Sequence, residues 1–446
     1  MKLNLITGLS LILSWFQGIS QASPEKLINF KECLTMAIEN SPRLKISMLE
    51  QKKLHYQLQE TRGKGLPNIN FTGAFDDYVN LPTQLIPGEF FNHPGELIPV
   101  QFGTTYNLSG SLEGSQLLYN QSYLVALRMA RQVMEQNQLE EEKTKTEVIF
   151  EVAQTFYLTQ ITHLQIKNLD SNLEKLSMAE KIAQSQYDAG FIKKIDLERI
   201  TVNRLNLITE IEKLEVLYQQ QLSMQKYFMG LDPDQAIVFP DSITVSVIRL
   251  DSPVNIEGHI DIRLAEKQKE LAFTNMKLDR AGYFPSLTLI GSTSYLNQNN
   301  SYYMFGKSND WFNTSLVGLR LNVPLFNGWQ KRARVSQSKA ALEQIRVREE
   351  DTKKLLLVQS QDARRKLLNS ITAEQRQREN QKLAEHVYSV SQEQYQKGIV
   401  PLTDLLEAEK ALNEAMTGQI TAMVQMKLSE LEFLKSNGTI LNLLNQ

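Results

Sequence analysis

The sequence predicts a mainly helical protein with a transmembrane β portion, its long antiparallel helical hairpins and four strands arranged as an internal two-fold repeat. Three observations lead there. Two stretches, YDAGFIKKIDL (Tyr187 to Leu197) and YQKGIVPLTDL (Tyr395 to Leu405), are near-twins set far apart in the chain. The segments flanking both carry apolar residues at threes and fours over lengths that exceed an ordinary globular helix. Between those helices the apolar period drops to two in four short segments, the signature of strands with one apolar and one polar side.

The chain opens with MKLNLITGLSLILSWFQGISQAS, a Lys2 flank, an apolar run from Leu3 to Phe16 and a small-residue exit at Ser20-Gln21-Ala22. That order is expected of a cleaved secretory signal over residues 1–22. No later apolar run reaches the roughly 20 residues that a membrane-spanning helix needs, so export without a helical anchor is expected. Of the 446 residues, 42% are hydrophobic and 22% charged, which rules out general disorder. A net charge of −2 offers no basic excess for nucleic acid. The five histidines lack metal-ligand spacing and Cys33 is the lone cysteine, so no metal site, dithiol or other cofactor is expected.

The twin turns align residue by residue: Gln184 with Gln392, Gln186 with Gln394, Tyr187 with Tyr395, Gly190 with Gly398, Asp196 with Asp404 and Leu197 with Leu405. TRGKGLPNINFTG (Thr61 to Gly73) parallels DRAGYFPSLTLIG (Asp279 to Gly291), and LLYN at Leu117 parallels PLFN at Pro324. The chain is therefore expected to be one domain of two repeats, 27–230 and 254–436, joined by an equatorial linker 231–253. Helices are predicted from Glu141 to Tyr187 and back to about Met229, then from about Gln330 to Tyr395 and from Leu402 to Leu434. The first of these would run roughly 70 Å. Such seams need neighbouring helices to cover them.

The strand segments are PNINFTGAF from Pro67, TYNLSGSLEG from Thr105, PSLTLIGSTSY from Pro285 and NTSLVGLRLNV from Asn313. Each is roughly the 9 to 11 residues of a tilted membrane strand. The loop from Leu81 to Val100, with four prolines, and the polar, aromatic LNQNNSYYMFGKSND read as exposed turns, the prolines opposing further strand pairing. Four strands leave two open edges, and an unsatisfied backbone group in hydrocarbon costs several kcal/mol. Two, three or four copies would close a barrel of about eight, twelve or sixteen strands.

The signal, the doubled order of helix, strand, strand, helix and helix, the prolines Pro67 and Pro285 at helix-to-strand junctions and the Y-x-x-G-x-x-x-x-x-D-L turn together resemble the TolC-like outer-membrane efflux protein family (outer membrane factors). The resemblance implies a homotrimer in which a twelve-stranded β-barrel in outer-membrane lipid continues into a periplasmic α-barrel. The tunnel's far end would be closed at rest and would open when a periplasmic adaptor and an inner-membrane pump dock. Such a protein is a passive exit duct of a tripartite efflux or type I secretion system, not an enzyme.

The turns would then close the tunnel tips. Gly190 and Gly398 sit where a left-handed glycine ends a helix. Asp196 and Asp404 fall in the first turn of the returning helices, where the dipole favours a carboxylate by roughly 0.3 to 1 kcal/mol. By resemblance, Asp404 and Glu407 match two acidic positions that form stacked rings in the closed pore, the second being Glu here rather than the more usual Asp. An i, i+3 pair shares one helix face. Asp196 and Tyr395 match positions that hold neighbouring hairpins shut. Some relatives have an arginine shortly after the turn glycine, where this chain has Val400-Pro401 and Lys193-Lys194. A salt-bridged latch at Val400 is therefore not expected.

Phe191, Ile192, Ile399 and Val400 are apolar residues at the turns. Burial against the adjacent hairpin is the ordinary expectation for them. Contact with the adaptor's own tips, alongside Gly190 and Gly398, is the functional alternative. Arg320 is expected to face the barrel lumen, since a lipid-facing Arg at the midplane costs roughly 2 to 4 kcal/mol. The rival to the channel reading is a periplasmic coiled-coil structural or adaptor protein without a barrel, which would leave the four strands unexplained. No nucleophile elbow, Walker loop, HExxH or GxGxxG motif supports an enzyme.

Overall fold

The computed structural model describes residues 26–91, 94–240, 256–302 and 311–445. In chain order the elements are β1 (Lys26–Leu27), α1 (Phe30–Asn40), α2 (Pro42–Gly63), β2 (Asn68–Asp77), β3 (Thr83–Pro87), β4 (Leu97–Gln101), β5 (Tyr106–Asn120), α3 (Gln121–Asp188) and α4 (Lys194–Met229). They continue with β6 (Ile237–Val238), α5 (Ile260–Ala281), β7 (Ser286–Asn299), β8 (Trp311–Asn322), α6 (Gln330–Gln396) and α7 (Leu402–Ser436). The signal segment, linker residues 241–253 and residues 303–310 of the second loop lie outside the described residues.

The chain divides into two compact units, the first made of residues up to 46, 141–260 and 354–446, the second of 47–140 and 261–353. In the first unit, α1 starts on Asn29, whose side chain accepts a hydrogen bond from the Glu32 N–H at 2.8 Å. It ends before Pro42, which opens α2 where its missing N–H is not needed. Cys33, Leu34 and Ala37 of α1 are buried with Ile149, Val152, Phe156, Met229 and Leu431 in one apolar core. Phe30 packs on Phe156 and Tyr157 with ring centroids 5.1 and 5.2 Å apart, and Phe156 on Phe239 at 4.9 Å. Each such large side chain contributes roughly 1.5–3 kcal/mol by its burial. The first linker residues are not merely packed against this core: β6 pairs in parallel with β1, Lys26 opposite Ile237 and Leu27 opposite Val238.

The helices α3, α4 and α6 contain neither glycine nor proline, which is why they run 68, 36 and 67 residues without a break. Helix α3 begins at Gln121, twenty residues before the predicted start at Glu141. The intervening stretch has no breaker and carries Leu124, Leu127, Ala130 and Val133 at threes, so it continues the helix. Helix α7 does carry Gly418. A Cβ there would lie 3.1 Å from Gln377 Oε1, so the glycine lets α7 approach α6 closely.

The second unit holds a four-stranded antiparallel sheet in the order β2-β5-β7-β8, with β2 and β8 at its free edges. β2 and β7 start immediately after Pro67 and Pro285, as the sequence predicts. Register places Ile69, Phe71, Gly73 and Phe75 opposite Gly114, Leu112, Gly110 and Leu108, and carries the same face through Leu289 to Leu319 and Gly291 to Val317. This face is largely apolar along β2 and at the end of Leu289 and Leu319, with Thr293, Asn297, Asn313 and Ser315 interspersed, and it is uncovered, Phe71 being 73% and Val317 82% exposed. The other face bears Asn68, Asn70, Thr72, Ser111, Glu113, Ser292 and Arg320, the polar side that the two-residue period predicts. The loop after β2 differs from expectation. Despite Pro87 and Pro99 it folds back as a second hairpin, β3 against β4, with Thr83 opposite Gln101 and Ile86 opposite Ile98. An isolated two-stranded ribbon tolerates proline because each strand keeps one edge unpaired.

Candidate functional site

The two return turns carry the same backbone hydrogen bonds. After α3, the Gly190 N–H donates to the Tyr187 carbonyl at 2.9 Å and the Phe191 N–H to the Gln186 carbonyl at 2.8 Å. After α6, Gly398 donates to Tyr395 and Ile399 to Gln394, both at 2.9 Å. This is the Schellman arrangement, which requires a left-handed residue, and the glycines supply it with φ of 74° and 69°. The chain then turns through Lys193 or Pro401 in extended conformation, neither giving a side-chain cap, into α4 or α7. Asp196 and Asp404 fall in the first turn of those helices, where their charge meets unsatisfied N–H groups.

A small apolar core ties the two hairpins together. Leu176, Ala183 and Ile200 of the first are buried with Ile192 and Leu197, and Leu402 and Leu406 of α7 pack on them. Ile192 and Val400 are half-buried. Phe191 and Ile399 are not: they are 83% and 66% exposed, which corrects the expectation that burial against the adjacent hairpin would cover these tip residues. A groove of about 890 Å³ opens beside them, lined by Ile182, Ala183, Phe191, Tyr388, Tyr395 and Leu405 among others.

Charges at the tips are arranged unevenly. Asp404 and Glu407 are exposed on one face of α7, and Asp404 accepts a hydrogen bond from Thr403 Oγ1 at 3.2 Å. Asp196 is half-buried, with Arg199 Nη1 at 3.7 Å from its carboxylate. Burial, and secondarily the negative charge of Asp196, push the Tyr395 hydroxyl above its ordinary pKa. The structure therefore brings the expected latch pair into electrostatic range of each other. Lys194 pairs with Glu198 at 3.0 Å.

One residue escaped the sequence reading. Glu409 of α7 is half-buried, and its carboxyl is raised above the usual carboxylate range by burial, with Lys175 of α3 opposing. Its charge in turn adds to the burial that raises Tyr388 of α6. No local sequence signal marks it, because its burial depends on which helices pack over α7. In the sheet, register puts Arg320 opposite Thr288, on the polar face with Glu113 and Asn70. Among the described residues no group of His, Cys, Asp and Glu is arranged to hold a metal, and no helix is long and apolar enough to cross a membrane. Cys33 is buried against Gln225, and burial pushes its thiol up to about 12.

Comparison with known proteins shows where such a sheet and such helical hairpins occur together. A family model described as "Outer membrane efflux protein" matches residues 256–439. Outer membrane protein TolC of Vibrio cholerae is 22% identical over 333 residues, covering 70% of this chain and 68% of that protein. Cation efflux system protein CusC of Escherichia coli O157:H7 is 22% identical over 399 residues, 86% of this chain and 80% of that one. The outer membrane protein VceC of Vibrio cholerae superposes with a TM-score of 0.73 at 14% identity, over 92% of this chain and 96% of that one. Over most of its length the chain is similar to TolC-like outer membrane efflux proteins, and it shares the fold of such outer-membrane proteins with periplasmic helical portions. The family is one of channels, not enzymes.

Proposed function

We propose that the protein is the passive exit duct of a tripartite efflux or type I secretion system, a homotrimer whose subunits share one β-barrel. The observation that carries this reading is the sheet with two free edges and one uncovered apolar face. In lipid such edges must be paired, and copies of the same sheet can pair them by closing a barrel, twelve strands for three copies. A periplasmic coiled-coil protein without a barrel has no use for a membrane-length sheet whose Phe71 and Val317 face outward. The two repeats, 27–230 and 254–436, would then each supply two strands and one tip, with linker 231–253 between them.

The tips would form the gate and the docking end. Three copies of Asp404 and Glu407 place six carboxylates around a narrow bore, which favours cations and, by mutual repulsion, assists opening. With Val400-Pro401 in place of an arginine latch, closure would rest on Asp196 and Tyr395 of adjoining hairpins and on apolar packing. Gly190, Phe191, Ile192, Gly398, Ile399 and Val400 would meet a periplasmic adaptor, which links the duct to an inner-membrane pump. Arg320 would line the lumen. The test is crosslinking from Phe191→Cys and Ile399→Cys to a co-expressed adaptor, the native Cys33 being buried. Specific crosslinks from both positions are expected. Their absence, in protein that still fractionates with the outer membrane, would overturn the docking assignment.

A further inference from the structure

At the junction of β8 and α6 the turn PLFNGW (Pro324 to Trp329) leaves a cluster of large apolar side chains in the open. Phe326 is 75% and Trp329 64% exposed, and Leu325 is exposed beside them. Among the described residues the aromatic pair they form is with each other, perpendicular at 5.8 Å. Trp329 has φ of +64°, directly after Gly328 at +62°, and it is the single non-glycine residue with positive φ among the described residues. A bulky residue held there costs on the order of 1–2 kcal/mol, and no buried contact of its ring offsets that cost. The parallel turn of the first half, LLYN at Leu117, shows no such kink: β5 runs to Asn120 and α3 starts at Gln121.

Cations surround the cluster. The Arg332 guanidinium lies 5.4 Å over the Trp329 ring. Lys331 donates to the Gly282 carbonyl and lies 5.7 Å from the ring of Tyr283, itself exposed together with Phe284. Arg334 follows, whereas the first carboxylate on α6 is Glu343. The other end of β8 begins with Trp311, also exposed. The strand's 12 residues rise about 40 Å, or about 28 Å when tilted by roughly 45°. That height is close to the apolar band of about 25 Å that aromatic girdles bracket in membrane barrels.

Resting on the outer-membrane reading above, we infer that Trp329, Phe326 and Leu325 enter the periplasmic leaflet at headgroup depth, while Arg332 and Lys331 bind phospholipid phosphate. The occupant is a lipid surface, favoured over a neighbouring subunit by the cations that frame the rings and by the spacing between the two tryptophans. The anchor belongs to the second half of the chain alone. It would set how deep the sheet sits and give the protein a preference for anionic glycerophospholipids, on the order of five-fold for each cation near the surface.

The test is tryptophan quenching in the full chain reconstituted into vesicles of phosphatidylcholine or phosphatidylglycerol brominated at shallow or deep acyl positions. Trp15 leaves with the cleaved signal, so Trp311→Phe leaves Trp329 as the reporter and Trp329→Phe leaves Trp311. Trp329 is expected to be quenched more by shallow than by deep bromines, and more by phosphatidylglycerol. Arg332→Gln, alone and with Lys331→Gln, should reduce that lipid preference while shallow quenching persists. If Trp311 is quenched and Trp329 is not, a neighbouring subunit or water surrounds Trp329 and the anchor is refuted. Deeper quenching of Trp329, or equal quenching by both lipids, also overturns it. If neither tryptophan responds, the membrane sheet itself is refuted.

Discussion

The helix ends at Gly190, Gly398 and Gly230 share one backbone conformation but differ in what surrounds the glycine, and that difference has a measurable size. Gly190, Gly398 and Gly230 have φ of 74°, 69° and 65°. A Cβ at Gly190 or Gly398 would meet nothing within 4 Å, whereas at Gly230 it would lie 2.7 Å from the Cβ of Asn40. Asn40 cannot withdraw easily, because its Nδ2 donates to the Met229 carbonyl at 3.0 Å and its Cβ is fixed to α1. Alanine at any of the three adds the left-handed penalty of roughly 1–2 kcal/mol. At Gly230 the overlap adds roughly 1–3 kcal/mol more. Thermal melting of the detergent-solubilised protein, followed by circular dichroism at one scan rate, should therefore order the variants. Gly230→Ala should have the lowest midpoint, and Gly190→Ala and Gly398→Ala should lie together nearer the wild type. Equal midpoints for all three would refute the role given to Asn40.

Other expectations concern the gate and the sheet. Replacing Asp404 and Glu407 by alanine should weaken the cation selectivity of the reconstituted pore, read as a smaller reversal potential in a salt gradient; an unchanged potential counts against the carboxylate rings. Glu409 has a folded pKa above its unfolded value, so the folded state holds the proton more tightly. Its contribution to stability is present at acid pH and is lost as pH rises through the raised pKa. Glu409→Gln should accordingly be more stable than the wild type near neutral pH and no more stable in acid, measured as melting midpoint against pH. Arg320→Cys should react with a membrane-impermeant cationic thiol reagent in reconstituted channels, since lumen water reaches it; complete protection would place the residue toward lipid.

The helices and tips were legible because their signals are local. A long stretch without glycine or proline has nothing to stop it, and a glycine three residues before an extended residue and six before a helix-start carboxylate marks a Schellman turn in both copies. The two-residue period found the four strands for the same reason, although their ends were set too short. β5 runs on to Asn120 because pairing with β7 sustains it past a register shift near Leu117, a cross-strand effect that periodicity cannot show. The β3–β4 hairpin was hidden by its prolines, which count against a sheet interior but not against a two-stranded ribbon. Phe191 and Ile399 are exposed, whereas residue type alone points inward. Glu409 was invisible since its perturbation depends on which helices pack over it.

A paired measurement of mass and conductance tests the shared barrel most directly. Detergent-purified protein should have the mass of three chains, and the same preparation should pass ions across a planar bilayer. A single chain in detergent, with no conductance, would contradict it.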